Sequence, residues 1–151
     1  MICGKKQLEH VNNINNGKYN ISMGKNILSL LTPKDKVAYI ESDMSIRQGL
    51  EKLRARGYTA IPVLNKDGTY CGVVSEGDFL WNLMDDNVVT VQELESKQVK
   101  DIIRKEIPSC KIDVTYEQLI KMIVNYNFVP IVDDRNIMMG IITRKSVIDN
   151  L

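Results

Sequence analysis

Short branched-residue runs of strand length alternate along this chain with stretches whose apolar positions recur at helical spacing. Gly57 to Asp78 shows the pattern most clearly: helix stop, strand, tight turn, strand, helix start. Gly57 suits the left-handed conformation that ends a helix. Ala60 to Leu64 is a buried-strand candidate, Asp67-Gly68 a two-residue hairpin signal, and Tyr70 to Val74 the return strand. Ser75 is placed to cap a helix beginning near Glu76. Pro62 has no N–H to donate, so its strand is expected to be an edge or to leave a gap in its ladder, where a ligand could approach the main chain.

The same order recurs. Phe128-Val129-Pro130-Ile131-Val132 leads to Gly140-Ile141-Ile142-Thr143, and Pro62/Pro130, Gly72/Gly140 and Ser75/Thr143 share one offset of 68 (130 − 62). Two copies predict a pseudo-symmetric pair packed face to face, not an open array. Ser45-x-x-Gln48 and Thr115-x-x-Gln118 are capping boxes. They precede the apolar stripes Ile46, Leu50, Leu53 and Tyr116, Leu119, Ile120, Ile123. The second helix should be two residues shorter, with Asn125 and Asn127 in place of Gly57 as the stop. Gly49 allows a close helix approach.

Around these cores the pattern predicts a helix over Gly24 to Leu31, capped by Ser22 and ended by Pro33. It also predicts short strands at Lys36 to Ile40 and Cys110 to Val114. Further helices are expected at Asp78 to Met84 (Phe79, Leu80 and Leu83 inward), at Val91 to Ile103, and from Thr143 or Arg144 to Asn150. Trp81 reads as partial core or a subunit contact, and Met138-Met139 as core filler. Each half is therefore strand, helix, strand, strand, helix, an α/β (α+β) arrangement. Residues 1–20 read as a flexible leader, 21–85 as the first repeat, 86–97 as a connector and 98–151 as the second repeat.

Composition narrows the chemistry. Lys plus Arg number 20 and Asp plus Glu 19 in 151 residues, a formal charge of +1. That balance leaves no nucleic-acid or membrane-surface footprint. No apolar run is long enough to span a bilayer, and Met1 to Asn16 lacks a signal-peptide core. Cys3, Cys71 and Cys110 show neither a disulfide framework nor a metal spacing and read as reduced thiols of a cytoplasmic protein. His10, the single histidine, lies in a polar leader. With no Cys–His pair, carboxylate–His cluster, metal spacing or phosphate loop, no catalytic residue, metal or cofactor is expected, and binding is favoured over catalysis.

The duplicated order, with its two Pro-Val/Ile strands and two Gly-hydrophobic-hydrophobic-Ser/Thr turns, resembles a pair of cystathionine-β-synthase (CBS) domains, a Bateman module, over about Lys36 to Leu151. Lys36-Val37-Ala38, Gly57 to Leu64 and Gly140-Ile141-Ile142-Thr143-Arg144-Lys145 are further similar to the stand-alone cyclic di-AMP-binding CBS proteins of Gram-positive bacteria, the DarB/CbpB type. The resemblance implies a regulatory protein, usually a homodimer, that binds an adenine nucleotide between its repeats and passes occupancy to a partner protein.

It also implies the site. One cleft would be made by Lys36, Val37, Ala38, Tyr58, Thr59, Ala60, Pro62, Thr143 and Arg144, with Tyr58 beside the adenine. The other would hold Ser75, Asp78, Lys111, Phe128 and Val129. The family's Ser/Thr-x-x-Asp turn grips free ribose hydroxyls. It is complete at Ser75-x-x-Asp78, but Thr143-x-x-Ser146 has lost the Asp. In cyclic di-AMP the ribose 3′ oxygen is esterified, so Ser146 removes a like charge near a phosphodiester. Arg144 adds a fork-shaped phosphate donor, Lys36 a second cation, and the helix start at Thr143 its N–H groups. The cleft with Asp78 suits a free ribose, as in AMP, ADP or ATP. On local chemistry alone, Asp78 is also a good first-turn helix acid and Arg144-Lys145 a solvated pair. A ligand-free dimerisation scaffold is the third reading.

Overall fold

The computed structural model describes residues 26–85, 87, 90–103 and 107–151. The expected leader, Cys3, His10 and the Ser22 cap lie outside the described residues. The chain enters through a 3-10 turn at Ile27–Leu30, capped by the Asn26 side chain. Strand β1 (Leu31–Pro33) and a second 3-10 turn at Lys34–Lys36 follow. The helix expected up to Leu31 is thus a single turn, and Pro33 closes a strand instead of ending a helix. The cause is non-local: Ile27 and Leu30 sink into the second repeat's core, and β1 becomes an edge strand beside that repeat. Proline is tolerated on such an edge.

The first repeat runs β2 (Ile40–Glu41), α1 (Ile46–Arg56), β3 (Ala60–Leu64), β4 (Tyr70–Ser75) and α2 (Glu76–Asp85). The connector carries α3 (Val91–Ser96). The second repeat runs β5 (Cys110–Lys111), α4 (Tyr116–Ile123), β6 (Phe128–Val132), β7 (Met138–Thr143) and α5 (Arg144–Asp149). The sheets are ordered β2-β3-β4 and β1-β7-β6-β5. Both capping boxes form. Gly57 takes φ 67° and closes α1 onto the Leu53 and Arg54 carbonyls.

Both proline strands are central, so the edge expectation for β3 is corrected and the gap expectation holds. Pro62 faces Val73 of β4, while β2 pairs in parallel only with Val63 and Leu64. The strand expected over Lys36–Ile40 is ladder-bonded only from Ile40 because its neighbour further back is Pro62, which offers no N–H. Its side chains still alternate: Val37 and Tyr39 pack on one cluster, Ala38 and Ile40 on another. In the second repeat Cys110–Val114 likewise shortens to two strand residues, and the Val114 N–H turns back to Lys111.

Other expectations yield to specific contacts. The Asp67-Gly68 turn has three loop residues, not two. Gly68, at φ +86°, donates to the Asn65 carbonyl, and Asp67 accepts from the Thr69 N–H. This is the bulged hairpin geometry. Its counterpart in the second hairpin is Asn136 at φ 64°. Asn125 and Asn127, expected to take the place of Gly57 as the stop of α4, are not left-handed. No left-handed stop is needed at α4, because the Arg144 guanidinium covers its last carbonyls. The helix expected over Val91–Ile103 breaks at Lys97 and resumes as a 3-10 turn at Val99–Asp101. There the segment before α1 takes the backbone groups: Ile46 N–H to the Lys97 carbonyl and Val99 N–H to the Met44 carbonyl. In α2, Phe79 is buried and Leu83 half-buried, but Leu80 is 52% exposed, beside Trp81 at 49%.

Each repeat has its own core. Gly49 is buried where a methyl group would meet Val99 Cγ2 at 2.7 Å and Phe79 Cζ at 3.2 Å, so the close helix approach is realised. The two cores are joined by a third cluster.

Candidate functional site

The third cluster is the seam between the repeats, and its members, Tyr39 apart, come in matched pairs. Leu64 and Val132, Tyr70 and Met138, Val73 and Ile141, and Ala60 and Phe128 all keep the offset of 68 (132 − 64), while Val37 and Ile107 keep 70 (107 − 37). The two missing residues lie between the capping boxes and the proline strands, as the shorter α4 requires. The pseudo-two-fold axis passes through an antiparallel bridge between the equivalent residues Thr69 and Ile137. Tyr70 N–H donates to the Asn136 carbonyl at 2.9 Å, and Met138 N–H donates to the Gly68 carbonyl at 3.1 Å. The Tyr70 hydroxyl adds a 2.6 Å bond to the Ile107 carbonyl. Apolar surface and backbone ladder together hold the halves in one register, and the two expected clefts fall on either side of it.

In the first cleft the parallel register of Ile40 with Val63, continued backwards, brings Val37 beside Ala60, and both pack on the seam. Lys36–Ala38 therefore runs along Thr59–Ile61. Lys36, Tyr58 and Thr59 are exposed. The Ala38 side chain turns into the first repeat's core, so this residue offers main chain rather than its methyl group to the cleft. Pro62 is buried. Thr143 reaches the seam through its ladder partner Phe128, and the turn carrying Lys36 packs on β7.

The turns are bonded within their own repeats. Glu76 N–H donates to the Thr59 carbonyl at 3.0 Å, and Arg144 N–H to the Asn127 carbonyl at 2.7 Å. Thr143 caps α5 by accepting from the Ser146 N–H at 3.0 Å, and the Ser146 hydroxyl donates back to the Thr143 carbonyl. Arg144 Nε donates to the Ile123 carbonyl at 2.9 Å and one terminal nitrogen to the Val124 carbonyl at 3.3 Å. Its fork is thus turned partly onto α4.

In the second cleft Asp78 Oδ2 accepts from the Ser75 N–H at 2.8 Å and the Ser75 hydroxyl at 3.0 Å, a reciprocal cap on α2. Phe128 lies on the seam, whereas Val129 points into the second repeat's core. Lys111 is drawn outward to Asp134 at 2.8 Å, and that bonded carboxylate raises its pKa. Burial pushes the Cys110 thiol up to about 11, so it is a packing residue and not a nucleophile. Among the described residues no group of three or more His, Cys, Asp or Glu is placed to hold a metal ion. None of their helices is long and apolar enough to cross a membrane. A broad polar concavity where α3 packs on α1, crossed by the Arg47–Glu95 ion pair, lies outside the seam.

Sequence reasoning missed three seam residues. Tyr39 was signalled by its alternation with Val37, and Ile107 by its repeat position. Tyr70 stood in a predicted strand with nothing to mark its hydroxyl as a stitch.

The fold agrees with comparisons to known proteins. The family model described as CBS domain matches residues 27–85 and 99–151. The chain is 26% identical over 117 residues to the Cyclic di-AMP receptor B of Bacillus subtilis (strain 168), covering 78% of this chain and 80% of the receptor. A crystal structure of CbpB in complex with c-di-AMP superposes with a TM-score of 0.78 at 25% identity, covering 83% of each chain. One of CBSX2 in complex with AMP gives 0.68 at 23% identity, covering 84% of this chain and 96% of that one.

Proposed function

The chain belongs to the CBS-domain family, and on that premise we propose that it is a non-enzymatic cytoplasmic receptor for cyclic di-AMP that signals occupancy to a partner protein. The observation that carries this reading is the seam itself: two repeats share one apolar cluster, with Val37 and Ala60 side by side at its edge. The likeness to a cyclic di-AMP receptor and to a c-di-AMP complex supports the choice of nucleotide. Val37 and Ala60 offer apolar contact to a base, and Tyr58 an exposed ring beside it. Ser146, where the family turn has Asp, keeps a carboxylate away from a phosphodiester. A ligand touching both repeats has different contacts when their packing changes, which is how occupancy shifts an outer surface.

A second reading, an AMP, ADP or ATP sensor, is favoured by the intact Ser75-x-x-Asp78 turn and by the likeness to an AMP complex. For ribose binding, Asp78 must share or exchange its bonds to Ser75. A homodimer is supported by the exposed apolar residues Leu80, Trp81 and Met84 on α2, together with Ile148 and Leu151 at the opposite repeat's terminus.

The test is thermal shift and calorimetry with cyclic di-AMP, AMP, ADP and ATP. A ligand of the folded state raises the midpoint progressively with concentration. Cyclic di-AMP should do so most strongly. A response to AMP alone selects the second reading, and no response to any adenylate removes both.

A further inference from the structure

A cationic cluster borders the seam between the repeats. Lys34 Nζ stands 5.5 Å from the centroid of the Tyr39 ring, and Lys52 Nζ stands 5.2 Å from the same centroid. Each contact is favourable on its own, but two like charges on one ring repel each other. Among the described residues neither ammonium group has a carboxylate within ion-pair distance, unlike Lys66, Lys111, Lys121 and Lys145. Exposed Lys36 adds a third positive charge two residues from Lys34. Tyr39 packs on the seam with Val37, so the cluster borders the cleft instead of standing on a remote face. The Lys34 ammonium also lies where a methyl group on Gly68 would meet it at 3.3 Å, beside the bridge on the pseudo-two-fold axis.

Two of the cluster's members, Tyr39 and Lys52, have no counterpart of their kind in the second repeat. Ile40 and Cys110 hold equivalent positions in the two ladders, as do the caps Ser45 and Thr115. The same offset of 70 (110 − 40) sets Ser109 in the place of Tyr39 and Met122 in the place of Lys52. Met122 packs against the second repeat's core. The second repeat therefore has neither the ring nor the helix lysine at these two positions.

We propose that Lys34 and Lys52, arrayed about Tyr39, form a phosphate-recognising subsite that makes the first cleft selective for nucleotides carrying at least two phosphate groups. The subsite rests on the reading of a nucleotide in that cleft and adds residues to it. A phosphate between or beside the ammonium groups relieves their repulsion and accepts their hydrogen bonds.

Two measurements test it separately. In the first, the unmodified protein is titrated with inorganic tripolyphosphate while lysine side-chain NMR signals are followed. Lys34 and Lys52 should shift first, ahead of Lys66 and Lys121; uniform shifts overturn the subsite. In the second, cyclic di-AMP and AMP affinities are compared by calorimetry for the unmodified protein and the double variant Lys34→Gln/Lys52→Gln. Cyclic di-AMP should weaken roughly tenfold, about 1.4 kcal/mol, with AMP changed less than about twofold, and arginine at both positions should restore binding. Equal losses for both nucleotides, or none, overturn the subsite while leaving nucleotide binding intact. If tripolyphosphate moves Lys34 and Lys52 but no adenylate binds, the subsite stands and the nucleotide reading fails.

Discussion

Gly72 and Gly140 are equivalent by sequence, yet a methyl group added to each should have very different effects. At Gly140 it would lie 2.2 Å from the Thr32 carbonyl oxygen, 3.0 Å from Leu31 Cδ1 and 3.1 Å from Pro33 Cα. Two of these are backbone atoms of β1, which pairs with β7 at this point. Relief requires moving β1 by about 1 Å, since ordinary carbon–oxygen contacts begin at about 3.3 Å. Overpacking of this kind costs about 1–3 kcal/mol. If β1 lets go, part of the burial of Ile27 and Leu30 is lost too, at about 1.5–3 kcal/mol for each fully buried side chain. Gly140→Ala should therefore destabilise by about 2–5 kcal/mol. At Gly72 the nearest atoms are the Ile103 side-chain ends at 3.3 and 3.4 Å. These can yield by a few tenths of an ångström, and the lost unfolded-chain entropy offsets about 0.4–1 kcal/mol. Gly72→Ala should stay within about 1 kcal/mol of the parent. Urea denaturation followed by circular dichroism reads both values. Equal costs, or a Gly140→Ala variant as stable as the parent, would refute the packing of β1 on β7.

The remaining predictions follow from single contacts. Arg144→Ala removes charged donors from the Ile123 and Val124 carbonyls and should cost about 1–2 kcal/mol of stability, with lysine recovering less than half because it has no fork; an unchanged urea midpoint refutes the cap. The Asp133 carboxylate is held below its ordinary pKa, chiefly by the Ile137 N–H and then by Arg135. A folded-state pKa below the unfolded value gives stability that is present above the unfolded value and lost as pH falls through the folded one. Midpoints measured downward from about pH 6 should therefore fall less steeply in Asp133→Asn, and parallel curves would contradict this. In a Cys3→Ser background, the buried Cys71 and Cys110 thiols should react with a thiol reagent at pH 8 far more slowly in buffer than in urea; rapid native labelling of Cys110 would show that it is not packed as described.

What the sequence determined by itself was everything written in short-range chemistry. The capping boxes at Ser45 and Thr115, the left-handed stop at Gly57 and the strands Ala60–Leu64 and Phe128–Val132 stand where the local pattern put them. Duplication of those signals was enough to recognise two halves with a shared seam, because each half has an apolar sheet face that only the other can cover. Tertiary structure decided whatever depended on a distant partner. Leu31–Pro33 became a strand because β7 had a free edge; Val91–Ile103 broke because Met44 and Ile46 claimed its backbone groups; and Arg144 folded onto α4 because two carbonyls there lacked donors. The lysines about Tyr39 belong with these. Residues 34, 39 and 52 share no period, and only the meeting of a turn, a strand approach and a helix sets their charges together.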